Sequence, residues 1–553
     1  MFIKIRVLLA LITLFSGLWL LNPFIYPDGK PYIDRILQPL KASQISSYSV
    51  FLFFSMSSLS EQLPSHNLAS TQFSAWLAAF NTHDRDTMLE YHQKHFPYGV
   101  ASRDIQTIDR EMGLSEFTGG FEIADVLEPN GDDEQSLPPH SITVILRSKK
   151  NPHYASANMT VDPQDPSHPV TKFNIHRTHT PLKFVPDDRR EEYKKALAPL
   201  TPGKRRIVVS GISNVITEQY INPEVGKKMI ESLEAKEKEE EYDEYADSED
   251  FAERLRDELK RHDRHSMVIF MEPPPNRKRE DDGEIKDGDI KDDDDEKKDE
   301  DYPPELCDRL KEINYGFDTP QIEQIQNKKL GILGIKAFVP SNFVVVKSAI
   351  GAIMAEIADA DALIIDLRSN GGGSPDTVAY IESYLLGEDD SMGVHLLDFV
   401  DRNGTPQKSI YTLPPSKLSY PPDSTSHLRF GPTKPLFVLT RNRTISGGED
   451  MAYNLQAFKR ARAIISADNT TAGAANIVTT SRTIAEEEFG KGWWHVGIPD
   501  QTPRHVITGG NWEGVGVLTD VVVGEGQDVV DAARKMAREA MGLDEPTVEN
   551  VEL

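Results

Sequence analysis

At 553 residues with 38% hydrophobic content, the chain is too long for one ordinary core and too polar to be an all-membrane protein, so two or three folded units are expected. A formal net charge of −27 disfavours nucleic acid and anionic membrane surfaces as partners. The acid is concentrated, however: residues 231–250 hold 11 acids against 2 bases and residues 280–301 hold 14 against 4, together −19, so the charge describes solvated segments and identifies no partner.

Lys4 and Arg6 precede an apolar run over residues 7–21 that ends at Asn22 and Pro23. This is the layout of a secretory signal peptide or signal-anchor over residues 1–26, followed by a linker over 27–65, and it points to a secreted protein or one tethered to a membrane. A second apolar patch at residues 50–56 is too short to span a bilayer. Cys307 is the only cysteine, so the fold stands without an internal disulfide. Asn158 and Asn403 lie in sequons open to glycosylation.

Residues 71–98 have a helical pattern, with Phe73, Trp76, Leu77 and Phe80 on one face. Alternating runs at 141–147, 155–161 and 170–175 read as antiparallel strands between Pro, Asn and Asp turns. Residues 66–185 therefore form a small α+β domain. It resembles the cone-shaped cystatin-like domains of nuclear-transport-factor type, which implies a scaffold or substrate-docking role.

Residues 186–270 read as a helical cap, with Asn222 and Pro223 as an N-cap and first-turn proline. Residues 271–303 lack apolar residues to bury and are expected to form an acidic disordered insertion. A calcium loop there lacks the glycine and glutamate spacing that such a site needs. From 304 to 540 the texture is α/β, with strands at 330–338, 362–367 and 435–440, a helix at 345–357 and another from Gly447; residues 541–553 form a tail.

Two features of that region carry chemistry. The buried strand at 362–367 runs into Arg368-Ser369-Asn370-Gly371-Gly372-Gly373, where backbone amides without side chains are able to face an anion. The strand at 435–440 leads to Thr444-Ile445-Ser446-Gly447-Gly448-Glu449 at the start of a helix. By itself the first is a turn and the second an ordinary serine N-cap.

Together, with Thr470-Thr471-Ala472-Gly473 beyond them, these segments resemble the tail-specific (C-terminal-processing) serine protease family over roughly residues 187–530. That resemblance implies an α/β catalytic domain with a crotonase-like ββα spiral core, Ser446 as nucleophile, and an oxyanion hole from Gly372 and Gly447. The lysine base of one branch falls on Ala474, so a Ser-Lys dyad is absent.

The other branch, resembling tricorn-core and interphotoreceptor retinoid-binding proteins, uses histidine. It implies His265, in Asp263-Arg264-His265-Ser266, as general base, in preference to His262, His495 or His505. It also implies Glu513 as the acid that orients and stabilises the imidazolium. Arg264 replaces a usually small residue, and Leu518-Thr519-Asp520 stands where a proline is common. The expected activity is hydrolysis of peptide or protein substrates through an acyl-enzyme, with no metal or organic cofactor. The alternative is an inactive binding protein for apolar ligands or peptides on the same fold.

Overall fold

The structure is a computed structural model that describes residues 62–96, 105–127, 140–151, 153–273, 285–286, 307, 310–341, 344–387, 392–418 and 428–543. The segments expected to carry an export signal and most of the acidic insertion lie outside the described residues. The chain divides into two compact units between Val185 and Pro186.

The first unit comprises helices α1 (Ala69–Phe80), α2 (Arg85–His95) and α3 (Ile105–Thr118) and an antiparallel sheet of β1 (Phe121–Leu127), β2 (Ser141–Ser148), β3 (Tyr154–Val161) and β4 (Val170–Thr178), in that order. Phe73, Trp76, Leu77 and Phe80 of α1 are fully buried and share a core with Val144, Leu146, Ala157 and Met159 of the sheet.

The single helix expected over 71–98 is two helices. His83 takes a φ of +57°, and Asp84 N-caps α2 by accepting from the Thr87 N–H, because a short polar side chain offers the backbone a partner that continued helix would not. Sequence reading missed α3 and β1, which meet at Gly119 and Gly120, both with positive φ. Asn158 lies within β3 and accepts a 2.5 Å hydrogen bond from Thr143, whereas Asn403 occupies an exposed turn.

The second unit opens with helices α4 (Arg190–Ala196), α5 (Pro202–Gln219), α6 (Pro223–Lys238) and α7 (Ser248–Lys260). Asn222 caps α6 by accepting from the Val225 N–H, with proline at the first helical position. Strands β5 (Met267–Phe270) and β6 (Ile285–Lys286) follow, then β7 (Gln321–Ile325), β8 (Lys328–Gly334), α8 (Val344–Ile357), β9 (Ala362–Asp366), α9 (Pro375–Glu382), β10 (His395–Val400) and β11 (Pro406–Tyr411). The remaining elements are β12 (Leu436–Leu439), α10 (Gly447–Ala457), β13 (Ala463–Ser466), β14 (Thr480–Ile484), α11 (Glu486–Phe489), β15 (Trp494–Gly497), β16 (Thr502–His505), β17 (Val521–Val522) and α12 (Val529–Ala540).

A six-stranded sheet in the order β17-β13-β12-β9-β8-β7 is parallel except where β7 meets β8. Its central strands β9, β12 and β13 are buried on both faces, as their unbroken apolar runs require. Leu363, Ile365 and Val438 enter one core with α8, α9 and α10, while Ile364, Phe437 and Leu439 enter another with Val529, Ala533 and Ala537 of α12. Two antiparallel sheets complete the unit, β5-β15-β14-β6 and β11-β10-β16. β6 belongs to the segment expected to be disordered, yet Ile285 and Lys286 pair with Ser481 and Thr480. A backbone ladder needs no apolar side chains, so the lack of them did not reveal this pairing.

Candidate active site

Strands β9 and β12 are adjacent and parallel, with Leu439 opposite Asp366, so the chain segments leaving their carboxyl ends are neighbours. In open α/β sheets this is where ligands bind. Thr444 closes the gap between the two segments by donating from Oγ1 to the Leu367 carbonyl at 2.8 Å.

Ser446 stands between β12 and α10 with φ 57° and ψ −119°, a conformation that L-residues adopt only under constraint. Its side chain is thereby held on a sharp turn at the positive end of a helix. Glu449 supplies much of the constraint. Fully buried, it accepts from the Ser446 N–H (2.9 Å), the Thr471 hydroxyl (2.6 Å), the Gly473 N–H (2.6 Å) and the Ala474 N–H (2.9 Å). Burial pushes its carboxyl above the usual range, and the four donors oppose that push. One side chain thus binds the serine turn to residues 471–474.

The glycine triplet lies against this turn. A Cβ on Gly372, whose φ is +92°, would stand 2.9 Å from the Ser446 Cβ. The Gly372 N–H, expected in the oxyanion hole, is instead donated to Asn370 Oδ1 at 2.8 Å, and Asn370 is itself held by the Ile335 carbonyl. The reason is local: a buried asparagine two residues upstream captures the nearest free amide, as Asx turns do.

Gly373 pairs with Phe338 as an isolated parallel bridge, in which Phe338 bonds the Gly372 carbonyl and the Ser374 N–H. The N–H of Gly373 itself therefore points away from Phe338. The Gly373 nitrogen lies 3.2 Å from where a Gly447 Cβ would be. Gly373 was quoted in the sequence motif and given no role; the bridge leaves its N–H unused by Phe338, beside Gly447.

His265 is reached from Ser446 through residues 474–476. Ala474 is bound to Glu449; the next two amides, of Ala475 and Asn476, donate to Glu513 Oε2 at 2.6 and 2.9 Å. The backbone of Asn476 acts on the His265 ring and raises its pKa. Two residues of extended chain span at most about 7 Å, which bounds the separation of Asn476 from the amide that Glu449 ties to the Ser446 turn.

Burial pushes the His265 pKa down, with Lys260 acting in the same direction, whereas Asp263 and Asn476 push it up; the neutral, proton-accepting form is favoured. Its Nδ1 is buried without a hydrogen-bond partner. Neither Ser446 nor Glu513 is among the groups acting on the ring.

The placement of Glu513 differs from expectation. It grips the amides of 475 and 476 rather than the imidazole, and burial together with the nearby charge of Asp263 raises its pKa to about 7. Asp263, quoted in the sequence motif without a role, is the carboxylate beside His265. Two of the three rival histidines are engaged elsewhere: His505 accepts at Nδ1 from the Ile507 and Thr508 amides and burial lowers its pKa to about 4, and His495 Nε2 pairs with the Gly492 carbonyl; His262 is exposed. Among the described residues no group of three or more His, Cys, Asp or Glu is arranged to hold a metal ion.

Ser446 is thus a serine held on a strained turn against a glycine triplet at the carboxyl edge of a parallel sheet. Residues 329–490 match the model of peptidase family S41, and the protein is a serine peptidase acting on peptide or protein substrates. The chain is similar to a lipoprotein from Streptococcus agalactiae at 12% identity, covering 62% of this chain and 98% of that one with a TM-score of 0.35. It is similar to a photosystem II D1 C-terminal processing protease at 19% identity, over 40% of this chain and 54% of that one, TM-score 0.29. A third similarity, to the tricorn protease, has 11% identity over 76% of this chain and 41% of that one, TM-score 0.35.

Proposed function

We propose that this serine peptidase hydrolyses peptide bonds through an acyl-enzyme on Ser446, with His265 as general base and then as general acid toward the leaving amine. The observation that carries the reading is the backbone of Ser446 at φ 57°, ψ −119° at the head of α10, packed against Gly372. Such strain persists only where surrounding structure enforces it, and it clusters at sites of chemistry. As the Ser446 oxygen attacks, negative charge grows on the substrate carbonyl. The Gly447 N–H, at the first position of α10, and the Gly373 N–H are the donors suited to it, with Gly372 giving the close packing that lets them converge. Glu513 fixes the 475–476 segment on which the imidazole rests.

The accompanying parts keep their sequence-based roles in this reading. The 66–185 unit, with three helices on a four-stranded antiparallel sheet, is of the cystatin-like, nuclear-transport-factor type and serves as scaffold or docking module. Residues 1–26 export or anchor the chain, which makes it secreted or membrane-tethered. Among the described residues no helix is long and apolar enough to cross a membrane.

A fluorophosphonate probe tests the reading: the wild-type protein is labelled and Ser446→Ala is not. Absence of labelling in the folded wild-type protein overturns it. His265→Ala loses turnover by about 10²–10⁴-fold while remaining folded, and Lys491→Ala is nearly silent; a large loss at Lys491 with none at His265 transfers the base to lysine.

A further inference from the structure

Resting on the reading of His265 as base, we propose that Asp263 is the positioning residue that holds the imidazole and stabilises its positive charge when the Ser446 proton arrives, a task the resemblance implied for Glu513. Asp263 is 1% exposed and lies in the short turn between α7 and β5. Its Oδ1 accepts from the backbone N–H of His265 at 3.0 Å, which fixes the turn carrying the ring. Its Oδ2 accepts from Asn476 Nδ2 at 2.9 Å and from the Tyr220 hydroxyl at 3.2 Å. Three donors from three parts of the chain hold this carboxylate in place.

Asn476 faces both partners, since its amide side chain donates to Asp263 while its backbone acts on the His265 ring and its N–H donates to Glu513.

The electrostatics agree with the geometry. Five titratable groups bear on the arrangement: Lys260, Asp263, Glu513, Tyr220 and, through Glu513, Glu449. The nearby Asp263 carboxyl raises the pKa of His265, Glu513 and Tyr220 alike. Glu513, raised to about 7 by burial and by Asp263, bonds the 475–476 amides. Asp263 is the carboxyl bonded to the His265 backbone and acting on its ring.

The rate of fluorophosphonate labelling as a function of pH is the measurement, since it depends on proton removal from Ser446 and needs no known substrate. Asp263→Asn should slow labelling at the plateau by about 10- to 10³-fold and move the acid limb to lower pH, because the imidazole loses the anion that raises its pKa. A merely structural loss lowers the plateau and leaves the limb in place. A folded Asp263→Asn protein with the wild-type limb overturns the inference.

If that variant does not fold, Tyr220→Phe decides: losing one donor leaves the Asp263 charge less neutralised, so the limb moves to higher pH, and an unmoved limb overturns the inference. The two levels separate at His265→Ala. If that variant labels at the wild-type rate, the base itself is misassigned. If it is slow while Asp263→Asn is normal, only the role of Asp263 fails.

Discussion

Ser446 and Glu449 act against each other energetically, and each is testable alone. Holding a serine at positive φ costs about 1–3 kcal/mol, which glycine does not incur. Ser446→Gly is therefore expected to be more stable than Ser446→Ala by about 1 kcal/mol while both are unlabelled, read from urea midpoints. Equal midpoints would show the turn to be unstrained. Glu449 accepts four donors, and glutamine offers one acceptor oxygen with an amine facing N–H groups. Glu449→Gln should destabilise by about 1–3 kcal/mol and reduce labelling, because the Ser446 turn and residues 471–474 lose their common anchor.

Glu513 gives the fold a pH dependence whose sign follows from its raised pKa. The folded value near 7 lies above the unfolded value of 4.5. Its stabilising contribution is thus complete below pH 4.5 and is lost as pH rises through 7. Glu513→Gln removes the titration. Wild type should lose stability relative to this variant between pH 5 and 8, by on the order of 1–3 kcal/mol after allowance for partial exposure. A constant difference in denaturation midpoints across that range contradicts the assignment. Asp450, raised to about 7 by burial, and Glu382, raised by burial and by Asp450, lie on the flank of α10 and act in the same direction, so the comparison must be made against the variant.

At the level of elements, the parallel pair β9 and β12 creates the site by delivering two glycine-bearing turns to one edge of the sheet. The triplet is not three equivalent residues. An added Cβ meets nothing within 4 Å at Gly371, but at Gly372 it meets the Ser446 Cβ at 2.9 Å on a backbone with φ +92°. Gly371→Ala should label at close to the wild-type rate, whereas Gly372→Ala should lose labelling and stability. Matching behaviour of the two variants would refute the close packing of Gly372 on the nucleophile.

For the molecule as a whole, the acidic insertion is the largest deviation from an even charge distribution, and the described part of it makes a two-residue edge strand on β14. Strand β14 follows directly from the 471–476 segment, yet that segment is held by Glu449, Glu513 and Asp263 rather than by β6. Deleting residues 276–302 is expected to leave peptidase activity intact, with a modest loss of thermal stability from the uncovered edge. Lost activity in the folded deletion protein would give the insertion a catalytic role.

Much of this architecture was legible from local pattern. The unbroken apolar runs of β9 and β12, the serine-glycine-glycine turn and the proline-started α6 are each dictated by neighbours in sequence, because burial on both faces, helix initiation and tight turns are short-range demands. The break between α1 and α2 was missed because Asp84 and His83 decide it against a continuous apolar face.

What only tertiary structure decided is which polar atom meets which. Asn370 takes the Gly372 amide, Phe338 bridges Gly373, and Glu513 is drawn to two backbone amides while Asp263, 213 residues from Asn476, bonds the backbone of His265. Hydrogen-bond partners are chosen by distance and direction in space, and residue type fixes only what each atom is able to accept or give.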